Sequence, residues 1–158
     1  MSFVIFKNGH GKICANKIIS QIEEHAPFGG VVPEIASRSH VEYLDTLVDE
    51  ALIEAGESLQ NIDGIAVTAG PGLIGGLIVG LTYAKGLSLS TGLPLIPINH
   101  LEGHALTPLL TDNIDFPYIL LLISGGHSQL LVIEELGKYH QLGTTLDLSL
   151  IHISEPTR

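Results

Sequence analysis

His100 and His104 stand four residues apart in the stretch His100-Leu101-Glu102-Gly103-His104. On a helix this spacing puts both imidazoles on one face, where they can share a single metal ion. A zincin site needs glutamate directly after the first histidine, whereas Glu102 comes two residues later and turns away from the histidine face. Two ligands do not complete a metal site. The same pair would also suit a solvated helix face, and the spacing alone leaves both readings open. Its position, just past the end of an expected strand, is where α/β sheets collect ligands.

Two glycine-rich turns could carry further chemistry. Gly70, Gly72 and Gly75 form G-x-G-x-x-G within Ala69-Gly70-Pro71-Gly72-Leu73-Ile74-Gly75-Gly76. Between a strand and a helix, such a loop directs backbone N–H groups at phosphate. A dinucleotide-binding oxidoreductase would also need an acidic residue at the end of the next strand, which closes on Ile98-Asn99. A phosphate loop of the Walker type would need Lys and Ser/Thr after Gly75. The alternative is a tight turn whose glycines permit close packing. The second stretch, Ser124-Gly125-Gly126-His127-Ser128, has the form of a hairpin turn. Read functionally, its amides could approach a phosphate or carboxylate, with the Ser124 hydroxyl as an added donor. No G-x-S-x-G elbow and no Ser-His-Asp set is legible, so no catalytic residue is assigned.

The elements that would position these residues follow from hydrophobic spacing. Phe3 to Phe6 and Lys12 to Ser20 flank the turn signal Asn8-Gly9-His10-Gly11, which predicts a β-hairpin. Val41, Leu44, Leu47, Val48, Ala51 and Leu52 predict a helix from about Ser37 to Ala55, stopped by Gly56. Strands are expected at Ile62 to Thr68, Leu95 to Ile98, Tyr118 to Ile123 and Gln129 to Glu134. Helices are expected from Leu73 to Ser90 and from His100 to Leu110, with a hinge from Thr111 to Pro117. Strands alternating with helices after a hairpin make an α/β sheet.

Composition narrows the class. The 158 residues are 45% hydrophobic and 15% charged, which excludes intrinsic disorder. A net charge of −10 and 5% aromatic residues do not suit a chain that grips nucleic acid unaided. The lone Cys14 excludes an internal disulfide and fits a reducing compartment. No basic segment precedes an apolar one at the N-terminus, so no secretory leader is expected. The apolar stretch from Gly70 to Ala84 is shorter than the roughly 20 residues that cross a bilayer, so no membrane partner is expected.

Taken together, four segments resemble the universal family of tRNA N6-adenosine threonylcarbamoyltransferases, formerly called O-sialoglycoprotein endopeptidases. They are Gly29-Gly30-Val31-Val32-Pro33-Glu34-Ile35-Ala36-Ser37-Arg38, Thr68 to Leu73 (T-A-G-P-G-L), Asn99 to His104, and Ser124 to Ser128. The resemblance covers about residues 3–147. It implies an α/β fold of the actin/sugar-kinase/Hsp70-like class, built from ribonuclease H-like lobes. It implies transfer of the threonylcarbamoyl group from threonylcarbamoyl-AMP to N6 of adenosine 37 in tRNAs reading A-starting codons. His100 and His104 match the family's histidine ligands for one divalent metal ion, iron first and zinc as the alternative. Leu122, Ile123, Ser124, Gly125 and Gly126 match its substrate-binding stretch. Protein partner subunits would help to hold tRNA, which makes the acidic charge intelligible. The expected location is the cytoplasm, with a mitochondrial homologue as the alternative. The competing readings are a dinucleotide-binding oxidoreductase domain using Gly70, Gly72 and Gly75, and a catalytically silent interaction module.

The chain departs from the family pattern at both ends. The family's opening strand, with its E-[ST]-S-C-D-[DE]-[ST] motif, does not occur, so Phe3 to Phe6 is expected to lack a neighbour. After Gly143-Thr144-Thr145-Leu146-Asp147 the family continues with D-A-x-G-E-A-F-D-K, which Leu148 to Arg158 does not match. The expected organisation is therefore a first lobe over residues 1–115, the start of a second over 116–147, and a non-native tail over 148–158. The family's third protein ligand, an aspartate, is also absent, so the chain by itself is expected to be inactive.

Overall fold

The computed structural model describes residues 2–7, 12–112, 114–123 and 128–145. The chain divides into two compact units, Met1–His100 and Leu101–Arg158.

The first unit opens with an antiparallel pair, β1 (Ser2–Lys7) and β2 (Lys12–Ile18). The turn expected between them at Asn8 to Gly11 lies outside the described residues. Ile5 sits opposite Ala15 in the register, and both are buried against Ala51. Ala51 belongs to helix α2 (Pro33–Ala55), whose buried positions Leu44, Leu47, Val48 and Ala51 recur at helical spacing. This helix starts four residues before the expected Ser37. Proline at its first position loses no hydrogen bond there, and Glu34 complements the positive end of the helix dipole. Gly56 ends it at φ +65°, and its N–H donates to the Ile53 carbonyl at 3.1 Å. A short helix, α1 (Ile22–His25), and a 3-10 turn, Ala26–Phe28, precede it. Neither is long enough to leave a periodic signal in the sequence.

An ion pair ties β2 to α2, with Lys17 Nζ 2.5 Å from Glu54 Oε2. The hydrogen bond from Lys17 holds the Glu54 carboxyl below the ordinary carboxylate range. A carboxylate of this kind contributes stability above its unfolded-state pKa and loses it as pH falls through the folded-state value. Stability is therefore expected to decline on acidification below the ordinary carboxylate range, and Glu54→Gln to flatten that slope in pH-dependent urea unfolding.

β3 (Ile65–Gly70) and β4 (Leu95–Asn99) pair in parallel, joined by the crossover helix α3 (Ile74–Thr91). The strand expected at Ile62 to Thr68 is thus present, displaced toward Gly70. Helices α2 and α3 pack together. They come close at Gly75, where a Cβ would lie 3.2 Å from Ser37 Cβ. Gly75→Leu is expected to cost about 1–3 kcal/mol by overpacking. At Gly86, also inside α3, a Cβ would meet nothing within 4 Å. Gly86→Ala should therefore stabilise by about 1 kcal/mol, and urea midpoints of the two variants check the opposite signs.

Helix α4 (His100–Thr111) runs from the last residue of the first unit into the second. The sequence predicts a first lobe that reaches residue 115, whereas the first compact unit ends at His100. The second unit continues with β5 (Tyr118–Ile123), β6 (Ser128–Glu135) and β7 (Lys138–Thr144), an antiparallel sheet in that order. Ile133 on the central strand is fully buried. Strand β7 was not expected, because Lys138-Tyr139-His140-Gln141 carries little apolar alternation. Among the described residues no helix is long and apolar enough to cross a membrane.

Candidate functional site

The glycine turn between β3 and α3 is accounted for by backbone and packing. Gly70 adopts φ +144°, a region that favours glycine. A Cβ at Gly72 would lie 3.4 Å from Leu77 Cδ1, and Gly75 abuts Ser37. β4 ends at Asn99 and offers no carboxylate for a ribose. The geometry therefore favours the packing reading of Gly70, Gly72 and Gly75 over the oxidoreductase one. A cavity of about 500 Å³ lies beside this turn within the first unit, bordered by His40, Leu44, Thr68, Gly72, Tyr83 and His100. Tyr83 donates to Asp45 Oδ1 at 3.0 Å. Burial, reinforced by Asp45, pushes its phenol up to about 12, so it stays a neutral donor.

The signature Gly29 to Arg38 forms a left-handed turn at Gly29 followed by the first turns of α2. Short-range polar contacts hold it against α1. The Val32 N–H donates to His25 Nδ1 at 3.3 Å, and Gln21 Nε2 donates to the Ala36 carbonyl at 3.4 Å. Ser39 Oγ donates to Glu24 Oε2 at 2.5 Å. His25 and Ser39 are both buried, so these bonds satisfy polar groups removed from water.

His100 is the first residue of α4 and His104 lies one turn on, with both side chains exposed. Glu102 is half-buried and accepts a hydrogen bond from the Tyr139 hydroxyl, while Ala105 is buried. The helix thus shows the two histidines on one face and Glu102 turned from it, as the spacing predicts. Among the described residues no group of three His, Cys, Asp or Glu could hold a metal. Two imidazoles suit a borderline divalent ion as part of its ligand set.

Leu122 and Ile123 close β5, Leu122 half-buried and Ile123 exposed on the opposite face. Ser124, Gly125 and Gly126 lie outside the described residues. Beyond them Ser128, the first residue of β6, pairs with Ile123 of β5 and is also tied to the end of β7. The Thr145 N–H and hydroxyl both donate to the Ser128 carbonyl, at 2.9 and 3.2 Å. Ser128 itself is buried, with no hydrogen-bond partner for its hydroxyl among the described residues. The sequence reading assigned no role to Ser128, Tyr118 or Tyr139. Their signal is a place in the β5–β6–β7 register, of which the sequence predicts the β5–β6 hairpin but not the strand β7 that carries Tyr139.

Comparison with known proteins bears on the whole arrangement. A family model described as tRNA N6-adenosine threonylcarbamoyltransferase matches residues 12–152. The match extends to residue 152, past the boundary expected at Asp147, and residues 146–158 lie outside the described residues. A protein of Sinorhizobium medicae bearing the same name is 57% identical over 144 residues, 91% of this chain and 40% of the relative. One of Bartonella tribocorum is 60% identical over 139 residues, 88% and 38% of the two chains. The chain thus spans about two-fifths of the length of these curated relatives. Among solved structures, YeaZ from Pseudomonas aeruginosa matches with a TM-score of 0.51 at 20% identity, over 69% of this chain and 52% of that one. That likeness is one of fold, and the fold is the actin/sugar-kinase/Hsp70-like α/β class.

Proposed function

Because the chain belongs to the tRNA N6-adenosine threonylcarbamoyltransferase family, we propose that it supplies one part of an enzyme for that reaction. The enzyme joins the threonylcarbamoyl carbonyl carbon to N6 of adenosine 37 in tRNAs reading A-starting codons. The C–N bond forms as the bond to the phosphate of threonylcarbamoyl-AMP breaks, AMP departs, and N6 gives up a proton. The single observation that carries this reading is α4, which presents His100 and His104 from an exposed face immediately after β4.

His100 and His104 would hold a divalent metal ion, iron or zinc, with further ligands from outside the described residues. Bound there, the metal would supply Lewis-acid polarisation of a carbonyl or a point of attachment for a carboxylate. Leu122 and Ile123 would place the Ser124-Gly125-Gly126 turn for the acyl donor, whose charged groups suit backbone amides and a hydroxyl. A chain of net charge −10 needs a basic partner surface to hold tRNA, and the partner subunits of the complex would provide it. Such an assembly would work in the cytoplasm, where tRNA is found, or in mitochondria for an organellar homologue.

The test grafts residues 12–145 into the Sinorhizobium medicae relative in place of the matching segment. With tRNA, threonylcarbamoyl-AMP and the partner subunits, the graft is expected to form threonylcarbamoyladenosine. A folded graft that binds tRNA and forms none would overturn the proposal.

A further inference from the structure

The second unit holds α4 by its edge strands. In the register, Tyr118 lies opposite Ile133, and Ile133 lies opposite Tyr139, so the three side chains form one row across one face of the sheet. Both tyrosine hydroxyls reach α4. Tyr118 donates to the Ala105 carbonyl at 2.5 Å, and Tyr139 donates to Glu102 Oε1 at 2.5 Å. The central member, Ile133, and the helix residue Ala105 are both buried. The Tyr139 hydroxyl in turn accepts the Gly137 N–H at 3.0 Å, which leaves its own proton for Glu102. Gly137 adopts φ +79° in the β6–β7 turn, so the turn, the tyrosine and the glutamate form one chain of directed bonds.

A carboxylate resting against a sheet is a costly way to gain contact, because an apolar side chain there would need no desolvation. What the hydrogen bonds add is direction. A helix seated on apolar side chains alone can turn about its axis, whereas bonds at positions 102 and 105 fix its phase. At 3.6 residues per turn, His104 points about 200° round from Glu102, away from the sheet. A turn of about 15° would carry a group roughly 6 Å from the axis through about 1.5 Å, more than a metal ligand set tolerates.

We infer that Tyr139, acting through Glu102, and Tyr118, acting on the Ala105 carbonyl, are positioning residues for the histidine face of α4. The inference rests on the metal reading of that face. Calorimetric zinc titration of the 158-residue chain, with amide exchange over residues 101–111 recorded without metal, tests it. Tyr139→Phe is expected to weaken zinc binding at least about fivefold and to speed exchange in α4 about tenfold. Glu102→Gln keeps a carbonyl acceptor for the tyrosine and should stay within about threefold of the parent in both readouts. Should Tyr139→Phe fold poorly, Glu102→Leu removes the acceptor while keeping the bulk, and is expected to repeat its effects. His104→Ala should abolish zinc binding and leave the exchange unchanged. If His104→Ala loses zinc while Tyr139→Phe or Glu102→Leu binds it like the parent, the positioning role is refuted and the metal reading stands. If His104→Ala binds zinc unchanged, the metal reading fails, and this inference falls with it.

Discussion

Replacing His104 by alanine in the grafted full-length protein is expected to lower threonylcarbamoyl transfer by more than about 100-fold, because loss of groups that merely orient metal ligands already costs about 10–100-fold. His100→Ala should do the same. The two changes act on one ion, so the double variant should lose little more than either single one; residues that work as a unit are strongly non-additive. Stability should barely move. Both histidines are exposed on α4, and surface substitutions usually fall within about 0.5 kcal/mol. Initial rates at saturating tRNA, paired with urea midpoints, separate the two effects. A single variant that keeps a tenth of the parent rate, or a double variant whose losses multiply, would remove the shared metal from the proposal.

The same histidine pair shows where sequence was informative. Its spacing defines a face on any helix, and the direction of Glu102 follows from the same geometry. The strand–helix–strand order of β3, α3 and β4 was legible because two short apolar runs flank a long helical one. The glycine turn was legible as a turn, but its purpose was not. Only the approach of Gly75 to Ser37 shows what those glycines serve, and that contact joins residues from two different helices. Strand β7 escaped because its pattern is set by partners: Tyr139 faces Ile133, and His140 faces Val132. The tyrosine row depends on that strand, so the contact of Tyr139 with Glu102, which are 37 positions apart, had no sequence signal at all. Helix α2 began early for a simpler reason. Its first turn, Pro33-Glu34-Ile35-Ala36, belongs to the signature segment, and its ordering depends on the polar contacts made by Gln21 and His25.

Leu47→Ala should be the most damaging single truncation in the first unit. Leu47 is 1% exposed and is one of the two largest fully buried side chains among the described residues. Truncating a buried leucine to alanine costs about 2–5 kcal/mol, from lost transfer energy and from the cavity left behind. Whole domains hold only about 5–15 kcal/mol in reserve. The position matters as much as the size. β1–β2 and β3–β4 form separate two-stranded sheets, and α2 contacts β1, β2 and α3, while α3 contacts β3 and β4. Helix α2 therefore links the two strand pairs, its buried face supplemented by the Lys17–Glu54 ion pair and the Tyr83–Asp45 hydrogen bond, and an isolated two-stranded sheet is marginal in water. Ile53, on the same helix but 80% exposed, is the control; Ile53→Ala should change stability by no more than about 0.5 kcal/mol. Urea unfolding followed through amides of residues 1–100 distinguishes the two variants. Equal midpoints for Leu47→Ala and Ile53→Ala would mean that α2 does not bear the packing that joins the strand pairs, and that some contact other than its buried face holds them together.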